Sequence, residues 1–443
     1  MPRFVSLRPD AALIPLPWAI PLEAWPDDIL VALPQGLSRH VVRFIGVGDT
    51  IYAAKEINEA IARHEFQMLT DLNRLGQPAV EPVGIVTDRF DDEGFPLDDV
   101  LLTQHLQFAL PYRSLFTRGI RHDTVMRLLD ALVVLVVRLH LVGFMWGDIT
   151  LSNVLFRRDA ETFSAYLVDA ETGELHARLS DGQRRFDVTN GMTNIYGDFL
   201  DLQAGGCLGS SLDPANLVDM IEARYHELWA ELTVTEEFSG TDLGRIEHRV
   251  RRLNALGFDV AELDIDASQD GDHIRFRPVV VEPGHHSRRL MRLTGLDTEE
   301  NQARRLLNDL DSYRARAGLH HVDESIAAHK WLTRIFEPVI AAIPPELQDK
   351  RESAQLYHEL LDYRWFQSQR ERRDVPLDEA LPGYINDVLK RLPDEVLPLA
   401  DDASPATSTQ DDDDLAVVDP WEADLPEPAA GPSILDRSML LKR

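Results

Sequence analysis

Asp148 and Asn153 stand five positions apart in the segment Trp146-Gly147-Asp148-Ile149-Thr150-Leu151-Ser152-Asn153, between a long apolar stretch and the short apolar run Val154–Phe156. An acid and an amide so spaced can serve a hydroxyl and a metal ion together. Asp148 would accept or orient a substrate proton, and Asn153 would ligate magnesium. A second acid, Asp169, closes the short apolar stretch AYLVD, and magnesium favours carboxylate oxygens supplemented by water and phosphate. Upstream, Lys55 lies near the end of IYAAKEI. Burial of that stretch as a strand points its amine into a cleft, where the charge needs a partner. Glu65, in ARHEFQML, is positioned on the next element to be that partner. Together these side chains match what phosphoryl transfer from a magnesium nucleotide requires: a lysine on phosphate oxygens, a carboxylate to orient it, two metal-holding groups and an acid beside the attacking hydroxyl. Each has a bland alternative taken singly, as a surface lysine, a solvated helical glutamate or a strand-terminal acid. Their order along the chain is what joins them.

The elements that must position these residues are legible in outline. SRHVVRFIGV and TIYAAKEIN alternate in β-branched fashion around a turn holding Gly46, Gly48 and Asp49, which reads as a hairpin. Residues 61–75 then place Ile61, Phe66, Leu69 and Leu72 at helical spacing. Strand patterns follow at 80–87 and 100–106, and a long, mostly apolar helix at 123–142. The catalytic segment and two short strands come next. Several strands with one helix, then a buried helix, a loop and two strands predict an α+β, bilobal arrangement: a small β-rich lobe followed by a helical one.

This order and these motifs resemble the lipopolysaccharide kinase (Kdo kinase-like) branch of the protein-kinase-like superfamily. YAAKEI, RHEF, GFMWGDITLSNVLF and YLVDAETGE carry the resemblance, over residues 33–206. The second half resembles a bacterial domain of unknown function, through VEPGHHSRRL and YRWFQSQRERRDVPLDEA. The resemblance implies a kinase-like fold and use of ATP, and it does not carry the phosphate acceptor with it. Three departures stand out. Trp146 occupies the place where kinases have a histidine, two residues before the catalytic acid. The Asp-Phe-Gly element reads Asp169-Ala170-Glu171, which adds a carboxylate able to serve as a further metal ligand. No G-x-G-x-x-G precedes Lys55, so the loop over the phosphates is expected at Pro34–Arg39, with Gly36 and Ser38 nearest the nucleotide; Gly36 permits close backbone approach. Adenine is expected against backbone groups of His105 to Phe108, His105 and Leu106 foremost. Tyr112 and Arg113 lie near the cleft mouth, by default as a solvated helix start.

In the second half, HHSRRLMR forms a basic knot after Gly284. A helix starting there offers an anion site through its N–H groups with Arg288 and Arg289; the competing reading is an intramolecular pairing surface. Adjacent His285 and His286 diverge and have no spaced partners, which argues against metal.

Bulk properties bound the rest. The net charge of −30 disfavours nucleic acid and anionic lipid as partners. The lone Cys207 suits a reducing cytoplasm. Pro9, Pro15, Pro17 and Pro21 interrupt the N-terminal stretch, and ALVVLVV at 131–137 ends at Arg138, so neither a secretory leader nor membrane insertion is expected. The domain plan predicted is an N-terminal arm at 1–33, the β-rich lobe at 34–107, the helical lobe at 108–212, a mainly helical domain at 213–400 and a disordered acidic tail at 401–443. The expected function is that of an ATP- and magnesium-dependent phosphotransferase acting on a sugar, small-molecule or protein hydroxyl, with the C-terminal domain offering an acceptor site or a protein-partner surface. The alternative, prompted by Trp146 and the altered Asp-Phe-Gly element, is a nucleotide-binding pseudokinase-type regulatory module without turnover.

Overall fold

The computed structural model describes residues 2–7, 10–33, 39–48, 50–116, 120–233, 253, 284–319 and 321–392, and the backbone alone of 236–239, 259–263, 266–267, 273–276 and 278–281. The segment around Gly36 and Ser38 and the acidic tail fall outside the described residues. The chain divides into two compact units: one within Met1–Arg157, Phe163–Glu247 and Val260–Pro283, the other within Arg158–Thr162, His248–Asp259 and Gly284–Arg443.

The first unit begins with β1 (Arg3–Ser6), β2 (Val41–Val47) and β3 (Thr50–Ile57), then α1 (Glu59–Arg74), β4 (Glu81–Thr87) and β5 (Asp99–Gln104). They form a five-stranded antiparallel sheet ordered β1-β4-β5-β3-β2. Strand alternation assigns the two faces of β3. Tyr52 and Ala54 pack with Leu13, Trp18, Leu22 and Trp25 of the N-terminal arm, sealing one face. Lys55, the residue after Ala54 and in register with Val42 and Leu101, points to the other face, under α1. The arm is pinned by Arg89, whose side chain is fully buried and donates to the Trp18, Ile20 and Asp98 carbonyls and to Glu56. The residues expected only as an arm also contribute an edge strand, β1.

The helical part of this unit follows: β6 (Ala109–Pro111), α2 (Tyr112–Phe116), α3 (His122–Leu141), β7 (Phe144–Met145), β8 (Val154–Asp159), β9 (Thr162–Leu167), β10 (Glu174–Leu175), α4 (Asp181–Ala204) and α5 (Pro214–Thr233). Apolar residues on all sides of α3 make it the buried axis, flanked by α4 and α5. Two expectations are corrected here. The boundary placed at residue 212 cuts off α5, which buries Leu217, Ile221, Tyr225 and Leu228 within the first unit; a change to helical texture says nothing about which core a helix fills. Tyr112, read as a solvated helix start, is fully buried because its ring packs on Phe116.

The second unit holds α6 (His285–Thr294), α7 (Glu300–Arg316), α8 (Glu324–Trp331), α9 (Glu337–Ala341), α10 (Pro345–Gln348), α11 (Ser353–Glu371) and α12 (Leu377–Asp387). One core gathers Leu290, Leu306, Leu310, Trp331 and Tyr357, and another Leu356, Leu360, Val375, Leu381 and Tyr384. Asp159 belongs to this unit and caps α7, accepting from the Asn301 and Gln302 amides at 3.2 and 2.9 Å. Burial, with the charge of Glu299, pushes its carboxyl up to about 6. Among the described residues no helix is long and apolar enough to cross a membrane.

Candidate active site

Four segments of the first unit meet under the sheet. β3 delivers Lys55, α1 delivers Glu65, the loop between β7 and β8 delivers Asp148 and Asn153, and the turn after β9 delivers Asp169 and Glu171. The Lys55 amine lies 3.0 Å from Glu65 Oε2, 2.6 Å from Asp169 Oδ2 and 3.3 Å from Glu171 Oε2. The lysine side chain is 12% exposed and that of Glu65 2%. Burial draws the Lys55 amine down, but Glu65 and Asp169 outweigh it and hold the amine above the usual lysine value. Burial and the charge of Asp169 push Glu65 up to about 8, against the pull of Lys55.

The loop carrying Asp148 is cross-braced. Thr150 Oγ1 caps a single 3-10 turn at Asn153 N, 3.2 Å away. The Asn153 amide then donates to Asp148 Oδ2 and to the Asp148 carbonyl, each at 3.1 Å. The Asn153 carbonyl accepts from Val168 N at 3.0 Å, which joins the loop to the residue preceding Asp169. Gly147 sits at φ 79°, where an added Cβ would meet the Thr172 carbonyl at 3.0 Å, so glycine alone fits without strain.

The far wall of the site is α4, which the pattern of apolar residues did not reveal. Asp187, fully buried, accepts from the Trp146 and Gly147 amides at 2.8 Å each and from His140 Nε2 at 3.0 Å. Asn194 donates to Asp148 Oδ1 at 3.1 Å and Asn190 to the Gly147 carbonyl at 3.0 Å. Asp198 accepts from Leu151 N at 2.8 Å. Gly191 allows this approach: a Cβ there would lie 2.7 Å from Ile149 Cβ. Polar residues on a helix read as solvent-facing by default. The available signal was Ser180-x-x-Gln183, which forms a capping box at the start of α4.

Lys55, Glu65, Asp148, Asn153 and Asp169 are thus brought together, and Glu171 with them. Glu171 is also held by Arg39, the last residue of the expected phosphate loop, at 2.6 Å and by the next residue, His40, at 3.0 Å; Gly36 and Ser38 lie outside the described residues. At His105, expected near adenine, the N–H is taken by the Ile51 carbonyl at 2.8 Å because it continues the pairing of β5 with β3, and burial pushes the imidazole down to about 4. Leu106 follows in the linker, half-buried. The basic knot of the second unit is an internal pairing surface. Glu300 accepts from the His286 and Ser287 amides at 3.0 and 3.1 Å and from His286 Nδ1 at 2.6 Å, filling the anion position at the start of α6, and Arg289 pairs with Glu324.

The residues fit a magnesium ion. Oxygens of Glu65, Asp169 and Glu171 lie within 4.8 Å of one another. Asn153 uses its amide N–H groups on Asp148, which leaves its oxygen as the metal-binding end.

Residues 49–189 match the lipopolysaccharide kinase (Kdo/WaaP) family, and residues 227–389 match a domain of unknown function, DUF4032. This is the two-part resemblance expected from the sequence, and the residues matched by the kinase family lie almost wholly in the first unit. Among solved structures, WaaP in complex with acyl carrier protein is similar at 15% identity, covering 52% of this chain and 90% of that chain, with a TM-score of 0.32. No curated protein matches the chain.

Proposed function

We propose that this chain is an ATP- and magnesium-dependent phosphotransferase acting on a hydroxyl acceptor. The observation that carries the reading is the convergence of Lys55, Glu65 and Asp169 in one ion-paired cluster, joined through Asn153 to Asp148. Lys55, oriented by Glu65, would hold phosphate oxygens of ATP, with Asn153, Asp169 and Glu171 holding magnesium. The bound ion would neutralise charge on the phosphates. Asp148, with one oxygen fixed by Asn153 and the other by Asn194, takes the proton of the acceptor hydroxyl as its oxygen bonds to the γ-phosphorus. The bond from that phosphorus to the bridging oxygen breaks, and ADP leaves. The acceptor is an alcohol of a sugar, a metabolite or a protein.

A second reading, a nucleotide-binding module without turnover, draws on one observation: Lys55 is engaged by Glu171 as well as by Glu65 and Asp169, and Arg39 and His40 close on the same glutamate. Thermal shift with ATP, magnesium and both together, run beside an ATP-consumption assay, separates the readings. Joint stabilisation with consumption supports the transferase. Stabilisation with no consumption across a panel of sugar, metabolite and protein hydroxyls supports the module, and no joint stabilisation removes both.

A further inference from the structure

Trp146 stands where typical kinases carry a histidine, two residues before the candidate catalytic acid, and all three of its polar groups are engaged. Its amide donates to Asp187 Oδ2 at 2.8 Å. Its indole Nε1 donates to the main-chain carbonyl of Asp169 at 3.0 Å. Its own carbonyl accepts from Thr172 Oγ1 at 2.8 Å. The side chain is 1% exposed, so an indole N–H there must find an acceptor inside the protein. Two of the three bonds fall on one short segment, at its first and fourth residues. That segment, 169–172, carries both Asp169 and Glu171.

We propose that Trp146 is a positioning residue that clamps segment 169–172 and so sets the metal-binding carboxylate of Asp169 relative to Asp148, two residues further along its own loop. The proposal rests on the phosphotransferase reading and deepens it. The tryptophan is then a working part of the site rather than a sign of lost function. A phenylalanine would fill much of the same space and supply no N–H. The Asp169 carbonyl would be left buried without its donor, and the turn would relax. Partners that orient a metal ligand in this way typically contribute about 10- to 100-fold to metal affinity.

The test uses the full chain and reads binding, not turnover. The magnesium concentration giving half-maximal ATP binding is measured by calorimetry for the wild type, Trp146→Phe and Trp146→His, with Val137→Ala as a control. Val137 is fully buried on α3 and makes no part of the site. Circular dichroism checks that each variant is folded. The expected result is a rise of about tenfold or more in the magnesium requirement of Trp146→Phe. Trp146→His, which keeps a ring N–H donor, recovers part of that loss. Val137→Ala loses thermal stability and keeps the wild-type requirement. If folded Trp146→Phe needs no more magnesium than the wild type, the clamp is refuted. If it fails to fold, Thr172→Val, which removes the other bond of the clamp, decides: a requirement shifted no further than that of Val137→Ala at matched loss of stability overturns the proposal, and a larger shift supports it. A wild type that binds no ATP at any magnesium concentration removes the phosphotransferase reading and this inference with it, an outcome visible without any variant.

Discussion

Asn194 Nδ2 donates to Oδ1 of Asp148 at 3.1 Å, while Asn153 Nδ2 donates to the other oxygen at the same distance. The candidate base is therefore held by an amide on each side, one from its own loop and one from α4. Hydrogen bonds to a charged group contribute about 1.5–3 kcal/mol, which converts to about 10- to 100-fold in rate when the bond sets a reacting group. Asn194→Ala is expected to lower turnover by about that factor and leave ATP affinity unchanged. Steady-state kinetics beside ATP titration checks this, and an equal loss in both quantities would place Asn194 in nucleotide binding instead.

Asp148→Asn is expected to bind ATP with magnesium as the wild type does and to turn over about 10²–10⁴ times more slowly. Single-turnover assays with labelled ATP measure the step itself. Phosphate transfer at the wild-type rate would show that another group takes the proton.

Arg89 lies outside the cleft and holds the arm to the sheet. Its fully buried guanidinium donates to Trp18 O at 3.0 Å, Ile20 O at 2.7 Å, Asp98 O at 2.6 Å and Glu56 at 2.6 Å. Arg89→Met leaves the Trp18 and Asp98 carbonyls without their donor and Glu56 without its cation, while Ile20 O keeps Trp25 Nε1 at 3.3 Å and Glu56 keeps Leu22 N at 3.2 Å; a loss of about 3–5 kcal/mol is expected. Urea denaturation reads the loss, and limited proteolysis should become faster within residues 10–33. Wild-type protection of that arm would mean the Trp18 and Trp25 packing suffices without the guanidinium.

Glu300 supplies a pH-dependent contribution to the second unit. Burial acts to raise its carboxyl, but hydrogen bonds from His286 and from the His286 and Ser287 amides prevail and bring it down to about 2. An unfolded glutamate titrates at about 4.3. Because the folded value is the lower one, the stabilisation is fully present above about pH 4.3 and is lost as pH falls towards 2. Glu300→Gln should cost about 2–3 kcal/mol at pH 7, with the gap to wild type beginning to narrow below about pH 4.3. Denaturant titrations between pH 3 and 7 follow that gap. A gap constant down to pH 3 would show that the loss does not arise from ionisation of the carboxylate.

The catalytic loop and the acids around it were legible because they are local. Asp148 and Asn153 share one loop, Asp169 lies two residues past the end of β9, and Lys55 sits on an alternating strand whose face can be counted off residue by residue. The hairpin of β2 and β3, the helix α1 and the buried axis α3 were readable for the same reason: each announces itself through apolar period and turn residues within its own span. The backbone around His105 was less legible, because whether an amide faces a ligand or a neighbouring strand depends on where β5 stops pairing.

What the sequence by itself determined is the set of side chains available: Lys55, Glu65, Asp148, Asn153 and Asp169, in an order that resembles one kinase family. Tertiary structure alone decided what holds them in place. Asp187, Asn190, Asn194 and Asp198 are ordinary polar residues of a weakly patterned helix until packing turns them onto the loop, with Gly191 letting the backbones approach. The same holds for Glu300, whose carboxylate fills the anion position that the basic knot had offered to a ligand. Residue identity sets which bonds can form. Which of them do form is settled by distances that arise only when segments remote in the chain are packed together.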